Sequence, residues 1–360
     1  MKKKLFKVVI LIMAAALLLS ACGNNDVIIP NPQDDTPNEL TGEIMEFFPF
    51  RANTLFAYLG DPERFNQLTF AGFIEGNMMQ RIVQQAAVTT TEVFKYENGE
   101  LRLTFANPVV YDFINVMDEP ANLNFLILKA PLVVGNSWSM TGDDTTEIVS
   151  MDAEVETPYG TFTAMRVVTT YPGGDQMISY FARDVGLIRQ VVIWDGEESS
   201  YSLIAIVEDT EYEMFISMYW LDGAFELREE RTTLSFVTND DVLSVLADAL
   251  KREGEFHAPF LTPNTRINDI SIEIIGQGSL LTLDVSSDFI DELDLDLEAE
   301  EIKLQMLANT VGNFFKVSQF KITVDGEHYR SSNIEFPPDM VIPVERIEID
   351  GFGAEDIIVR

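Results

Sequence analysis

The chain has 360 residues, 46% of them hydrophobic and 11% aromatic, which is material enough for two packed domains and excludes wholesale disorder. Lys and Arg number 24 against 59 Asp and Glu, and the formal charge of −35 argues against nucleic acid as a partner and against side-chain adsorption on anionic lipid. A single cysteine excludes an internal disulfide, so stability has to come from packing or from bound cations.

The first predicted element is an export signal. Lys2, Lys3, Lys4 and Lys7 precede an unbroken apolar run from Val8 to Leu19. This is a charged n-region and a short h-region, well under the ~20 apolar residues of a permanent span. Small residues Ser20 and Ala21 then lead into Cys22. Leu19-Ser20-Ala21-Cys22 resembles the bacterial lipobox. That resemblance implies cleavage between Ala21 and Cys22, once the Cys22 sulfur carries a covalent diacylglycerol. The expected location is the extracytoplasmic face of the cell membrane, held by lipid. Two acyl chains, at about 0.8 kcal/mol per buried CH₂, make that attachment stable. No other cofactor is expected.

Residues 22–43 read as a disordered tether. Asn24, Asn25, Asp26, Pro30, Pro32, Asp34, Asp35 and Pro37 cannot bury enough surface to offset the entropy of ordering. Such a linker reaches on the order of 25 Å.

Residues 44–210 are predicted to be an antiparallel β domain, a sandwich or a half-barrel. Strand-like runs are separated by turn signals: Leu55–Tyr58 before Gly60-Asp61-Pro62, and Leu68–Ile74 before Gly76-Asn77. Val88–Tyr96 and Leu101–Phe105 flank Asn98-Gly99, a strong hairpin signal. Further runs at 153–156, 161–168, 177–182, 186–194 and 201–207 complete a meander. Gln80–Gln85 fits either a strand or a single helical turn. Three segments, 129–138, 157–162 and 180–188, resemble a β module of bacterial lipoproteins. In that pattern Gly135 and Gly160 turn the chain while Trp138 and Phe162 enter the core; the resemblance implies no chemistry.

Residues 211–330 change pattern. Met214, Ile216, Met218 and Trp220 alternate along a strand that turns at Asp222-Gly223 into 226–231. A helix follows, capped by Asn239 or Asp240, with Asp241 in its first turn, Lys251 and Arg252 in its last, and Gly254 as its stop. Its apolar face is Val242, Leu243, Val245, Leu246, Ala249 and Leu250. Ile270, Ile272 and Ile274 run to Gly276-Gln277-Gly278, and Leu281, Leu283 and Val285 return as a hairpin. A second helix spans 299–315, turning Leu304, Leu307, Ala308, Val311, Phe314 and Phe315 inward, and a strand at 317–324 ends in Asp325-Gly326.

That order, with Leu261–Arg266, Leu283–Ser286 and Val324–Glu327 in sequence, is similar to the GerMN domain, named for sporulation and germination proteins. The resemblance implies an α/β domain of βαββαβ order, and so an α+β chain overall. It also implies likeness to ring-building modules of a sporulation channel, hence assembly with a second copy or with other envelope proteins. Two departures are an acidic insert, Asp288–Glu301, and the presence of one copy where the sporulation protein carries two. The tail, 331–360, is expected to add an edge strand or pack on the sheet; a partner-binding arm is the alternative.

Catalytic signals are sparse. His257 and His328 lie in no zinc motif, and no nucleophile elbow or phosphate loop is present. No catalytic residue is nominated. Asp291, Asp294 and Asp296 are candidate calcium ligands, but the run lacks the glycine and the spacing of an EF-hand loop, so a solvated acidic loop is the first reading. Trp138, Trp194 and Trp220 are candidates to line a ligand cavity, with core packing as the simpler account. Three functional readings follow, in this order: a non-enzymatic envelope scaffold that assembles with itself or other envelope proteins, a carrier of lipid or another apolar ligand in the β domain, and a cell-wall hydrolase or its regulator.

Overall fold

The computed structural model describes residues 42–85, 88–108, 113–276 and 278–345. The expected export signal, Ala21, Cys22, the expected tether to residue 41 and the last residues of the tail lie outside them. The described residues form two compact units, 42–212 with 237–239, and 213–236 with 240–345.

The first unit opens with a short helix, α1 (Glu43–Phe47), and continues as β-structure. Six strands, β1 (Leu55–Asp61), β2 (Gln67–Glu75), β3 (Met78–Gln85), β4 (Val88–Glu97), β5 (Glu100–Asn107) and β6 (Phe125–Lys129), form one meander. Six more, β7 (Ser137–Trp138), β8 (Thr145–Thr157), β9 (Gly160–Thr170), β10 (Gln176–Ala182), β11 (Gly186–Trp194) and β12 (Glu197–Val207), form the other. The two meanders join where β1 pairs with β12, giving one antiparallel sheet in the order β6-β5-β4-β3-β2-β1-β12-β11-β10-β9-β8-β7. The sheet is barrel-like. Its edges meet where the Leu126 N–H donates to the Met140 carbonyl at 3.1 Å and Trp138 Nε1 donates to the Leu126 carbonyl at 2.9 Å.

Local sequence explains the meander. Asn98 and Gly99 have φ of 53° and 75°, and Asp195 and Gly196 have 51° and 80°, the paired positive values that a tight two-residue hairpin requires. Gln80–Gln85 belongs to β3, where Gln80 is fully buried, donating to the Ile114 carbonyl at 2.7 Å and accepting from the Val116 N–H at 2.8 Å. Trp138 is in the core as expected. Phe162 is only partly buried, stacked on Tyr159 beside a satellite cluster.

The main apolar core of the unit includes the short helix. Ile44, Met45 and Phe47 of α1, with Phe48, join Phe94, Leu101, Leu128, Ile148, Met165 and Phe181 in one core. The helix is clipped to the β10–β11 turn. The Asp184 N–H donates to the Glu46 carbonyl at 2.6 Å, Arg183 pairs with the Glu46 carboxylate, and its guanidinium lies 4.9 Å from the Phe47 ring. Residues 237–239 belong to this unit too: Thr238 Oγ1 donates to the Ala71 carbonyl, and the Asn239 amide exchanges two hydrogen bonds with the backbone of Ile74.

The second unit begins with a hairpin of β13 (Tyr212–Leu221) and β14 (Leu227–Phe236), which forms a two-stranded sheet of its own. After it come α2 (Val242–Leu250), β15 (Ile267–Ile275), β16 (Gly278–Val285), the single turn α3 (Asp288–Asp291), α4 (Leu297–Phe314), β17 (Gln319–Val324), β18 (Glu327–His328) and β19 (Ile342–Pro343). β15 and β16 are antiparallel, β16 and β17 are parallel with α4 in the crossover, and β18 and β19 both pair with β17. The first hairpin is tied to α4 by the Tyr219 N–H, which donates to Thr310 Oγ1 at 3.0 Å in the interior.

Several details differ from the sequence reading. Asp241, one residue later than expected, caps α2, accepting from the N–H groups of Leu243 and Ser244 at 3.1 and 3.2 Å. Lys251 is the C-cap and Arg252 lies beyond it, so the last turn of α2 holds no basic residue. The helix stops at Leu250, ahead of Gly254. The acidic stretch 288–301 contains α3 and the first turn of α4, and its Glu300 is fully buried, accepting from Tyr329 Oη at 2.6 Å and Asn333 Nδ2 at 2.8 Å.

Candidate functional site

The barrel holds a cavity of about 250 Å³. Strand alternation builds it, because every second side chain on each strand points inward. β3 supplies Arg81, Val83 and Gln85, and β4 supplies Thr90, Glu92 and Phe94. β9 supplies Val167 and Thr169, with Tyr171 just past its end, while β10 supplies Met177, Ser179 and Phe181. Phe48 at the helix end, Phe125 and Ile127 of β6, and Met140 between the edge strands complete the apolar wall.

The polar groups are organised in two places. On one wall, Tyr201 Oη donates to Gln190 Oε1 at 3.0 Å and Gln190 Nε2 donates to Ser179 Oγ at 3.0 Å, a neutral ladder across β12, β11 and β10. On another, Arg81 and Glu92 face each other in register on β3 and β4. Arg81 Nε and Nη2 both donate to Glu92 Oε2, at 3.0 and 2.6 Å. The guanidinium stands 4.7 Å from the Phe94 ring centre and 5.9 Å from that of Phe48. Side-chain exposures of 21% and 17% show that this pair is still accessible, and both residues line the cavity.

Burial sets the acid–base character of the site. It pushes the Tyr201 hydroxyl up to about 12, against a smaller lowering by Arg81, and raises Tyr58 and Tyr171 as well. Burial works against the charge of Arg81, and the adjacent Glu92 carboxylate more than restores it, so the guanidinium titrates above its ordinary value. The cavity at neutral pH therefore presents neutral phenols and hydroxyls around one compensated ion pair. Both histidines, His257 and His328, belong to the other unit.

The sequence-nominated residues lie elsewhere. Trp138 is core, Trp194 packs edge-on to Tyr171 at 6.3 Å, and Trp220 stacks on Phe256 at 5.3 Å in the second unit; none of the three lines the cavity. Asp291 ends α3 and Asp296 is the N-cap of α4, accepting from the Ala299 N–H at 3.0 Å. Asp294 lies between those two helices, and among the described residues no group of three or more His, Cys, Asp or Glu is placed to hold a metal ion. Cys22 and Ala21 fall outside the described residues. No helix among the described residues is long and apolar enough to cross a membrane. The cavity residues went unnominated because their relation is across strands; the alternation Arg81-Val83-Gln85 was the available signal.

No curated protein matches the chain. Among solved structures, the chain is similar to a protein from Bacteroides fragilis NCTC 9343 described as exported and of YmcC-like fold, at 13% identity over 45% of this chain and 99% of that one, with a TM-score of 0.29. It is also similar to a protein from Parabacteroides distasonis ATCC 8503 described as a lipoprotein, at 15% identity over 45% and 98%, with a TM-score of 0.30. A Clostridium perfringens protein, also described as a lipoprotein, aligns at 14% identity over 37% and 87%, with a TM-score of 0.22. Residues 217–330 match the family Germane, described as sporulation and spore germination, so the second unit carries a Germane domain covering about a third of the chain.

Proposed function

We propose that this chain is a non-enzymatic, lipid-anchored extracytoplasmic protein whose barrel binds an apolar or amphiphilic small molecule. The cavity is the observation that carries this reading. A densely packed domain keeps few voids larger than a water molecule, and an opening of about 250 Å³ walled by Phe94, Phe125, Ile127 and Phe181 is far larger than one. It approaches the ~300–1,000 Å³ of ordinary ligand pockets and has their make-up, apolar walls with a few convergent polar groups. The anchor rests on the run from Lys2 to Cys22, with the diacylglycerol on Cys22 as the group that holds the chain to the membrane.

The test is binding of nile red, an uncharged dye that fluoresces in apolar surroundings. The unaltered protein is expected to bind it saturably at one site. Ile127→Trp with Val192→Trp fills the cavity and should weaken binding by at least about tenfold. Equal binding by the filled variant, or none by the unaltered protein, would remove this reading.

A second reading is supported by the Germane match: assembly, through this domain, with a second copy of the chain or with other envelope proteins, in sporulation or germination. Light scattering on the full chain should then show an association that steepens with concentration. A strict monomer, with no partner recovered by crosslinking in the living cell, contradicts it.

A further inference from the structure

Resting on the barrel as a ligand site, we infer that its ligand is an uncharged amphiphile whose polar end carries a hydrogen-bond donor beside an acceptor, as an amide or a glycerol ester does, rather than a fatty acid or an alkyl cation. The argument begins with charge. Among the described residues, Arg81 and Glu92 are the two charged side chains that line the cavity, and they cancel. In a site of low effective dielectric a charge without its own partner is expensive, and a carboxylate ligand could reach Arg81 only by lying beside Glu92 or displacing it. An alkylammonium meets the same obstacle at Arg81. A neutral head leaves the pair intact.

The geometry of the pair then selects the kind of neutral head. Arg81 spends Nε and Nη2 on the same oxygen, Glu92 Oε2. Nη1 is left as a donor and Oε1 as an acceptor, on neighbouring side chains of paired strands that both line the cavity. A head that offers a carbonyl oxygen to Nη1 and an N–H or O–H to Oε1 satisfies both with charge-assisted hydrogen bonds. The Ser179–Gln190–Tyr201 ladder is likewise neutral and can both donate and accept. Phe125, Ile127 and Met177 are left to cover an alkyl tail.

Calorimetric titration with chain-matched probes tests this. The full chain, carrying Cys22→Ser so that no acyl group competes, is titrated with decanamide, decanoate and decylamine. Decanamide is expected to bind at least about tenfold more tightly than either charged probe. Glu92→Gln leaves Arg81 as the single charge and should turn the order toward decanoate by on the order of tenfold. Should that variant not fold, the ranking in the unaltered barrel decides by itself. Decanoate or decylamine binding as tightly as decanamide overturns the inference and leaves the cavity reading standing. If no probe binds and nile red is also silent, both fall.

Discussion

Lys303 donates from Nζ to the Pro259 carbonyl at 2.6 Å, and burial lowers its pKa to about 8. Between that value and the unfolded one near 10.5, the unfolded chain holds a proton that the folded chain has released. Stability therefore rises with pH across the window, and the penalty is fully present below about 8. Lys303→Met should remove the penalty, stabilising the second unit at neutral pH by on the order of 1–2 kcal/mol once the solvated part of the side chain is allowed for. The rise in denaturation midpoint between about pH 8 and 10 should disappear with it. The same pH profile in both proteins would contradict this account. Above about 10 the buried tyrosines act in the opposite sense in both, since an unfolded phenol ionises there and a buried one resists. Residue identity alone revealed little at this scale. Asp241 caps α2 where Asn239 or Asp240 looked equally suitable, because Asn239 is occupied by the backbone of Ile74, a partner 165 positions away. Arg81 and Glu92 were invisible as a pair for the same reason: their meeting depends on the β3–β4 register.

At the scale of elements, the turn chemistry was legible and the edges were not. Asn98-Gly99, Asp195-Gly196 and Asp325-Gly326 demand positive φ at both central residues, and each sits at a hairpin turn. β6 and β7 were missed. β7 is two residues long, and its place is fixed by Leu126 and Met140 meeting across the seam rather than by any local pattern. The opening hairpin of the second unit was legible as strands, but its separation into its own sheet is a matter of tertiary packing against α4. α1 gives a prediction of its own. Ile44 is fully buried on a five-residue helix that packs into the main apolar core of the first unit, a helix too short to persist without that packing. Ile44→Ala should cost the barrel about 2–4 kcal/mol in urea denaturation, from lost burial and the cavity left behind. A change under about 0.5 kcal/mol would mean that α1 is not part of the barrel core.

For the whole molecule, composition and charge bounded the answer early, and the Germane domain was readable because its motifs fall in order along the chain. The barrel cavity was not readable, since it exists only once twelve strands from two meanders have closed. Function on this account resides in the space the first unit encloses and in the lipid that holds the chain at the membrane. Native mass spectrometry of the protein extracted from its own envelope tests both together. The account predicts a chain beginning at a diacylated Cys22, carrying one organic molecule that is neutral in solution and is released when the barrel is unfolded. A chain that retains residues 1–21 without acyl groups, and a barrel that is empty at every extraction condition, would contradict it.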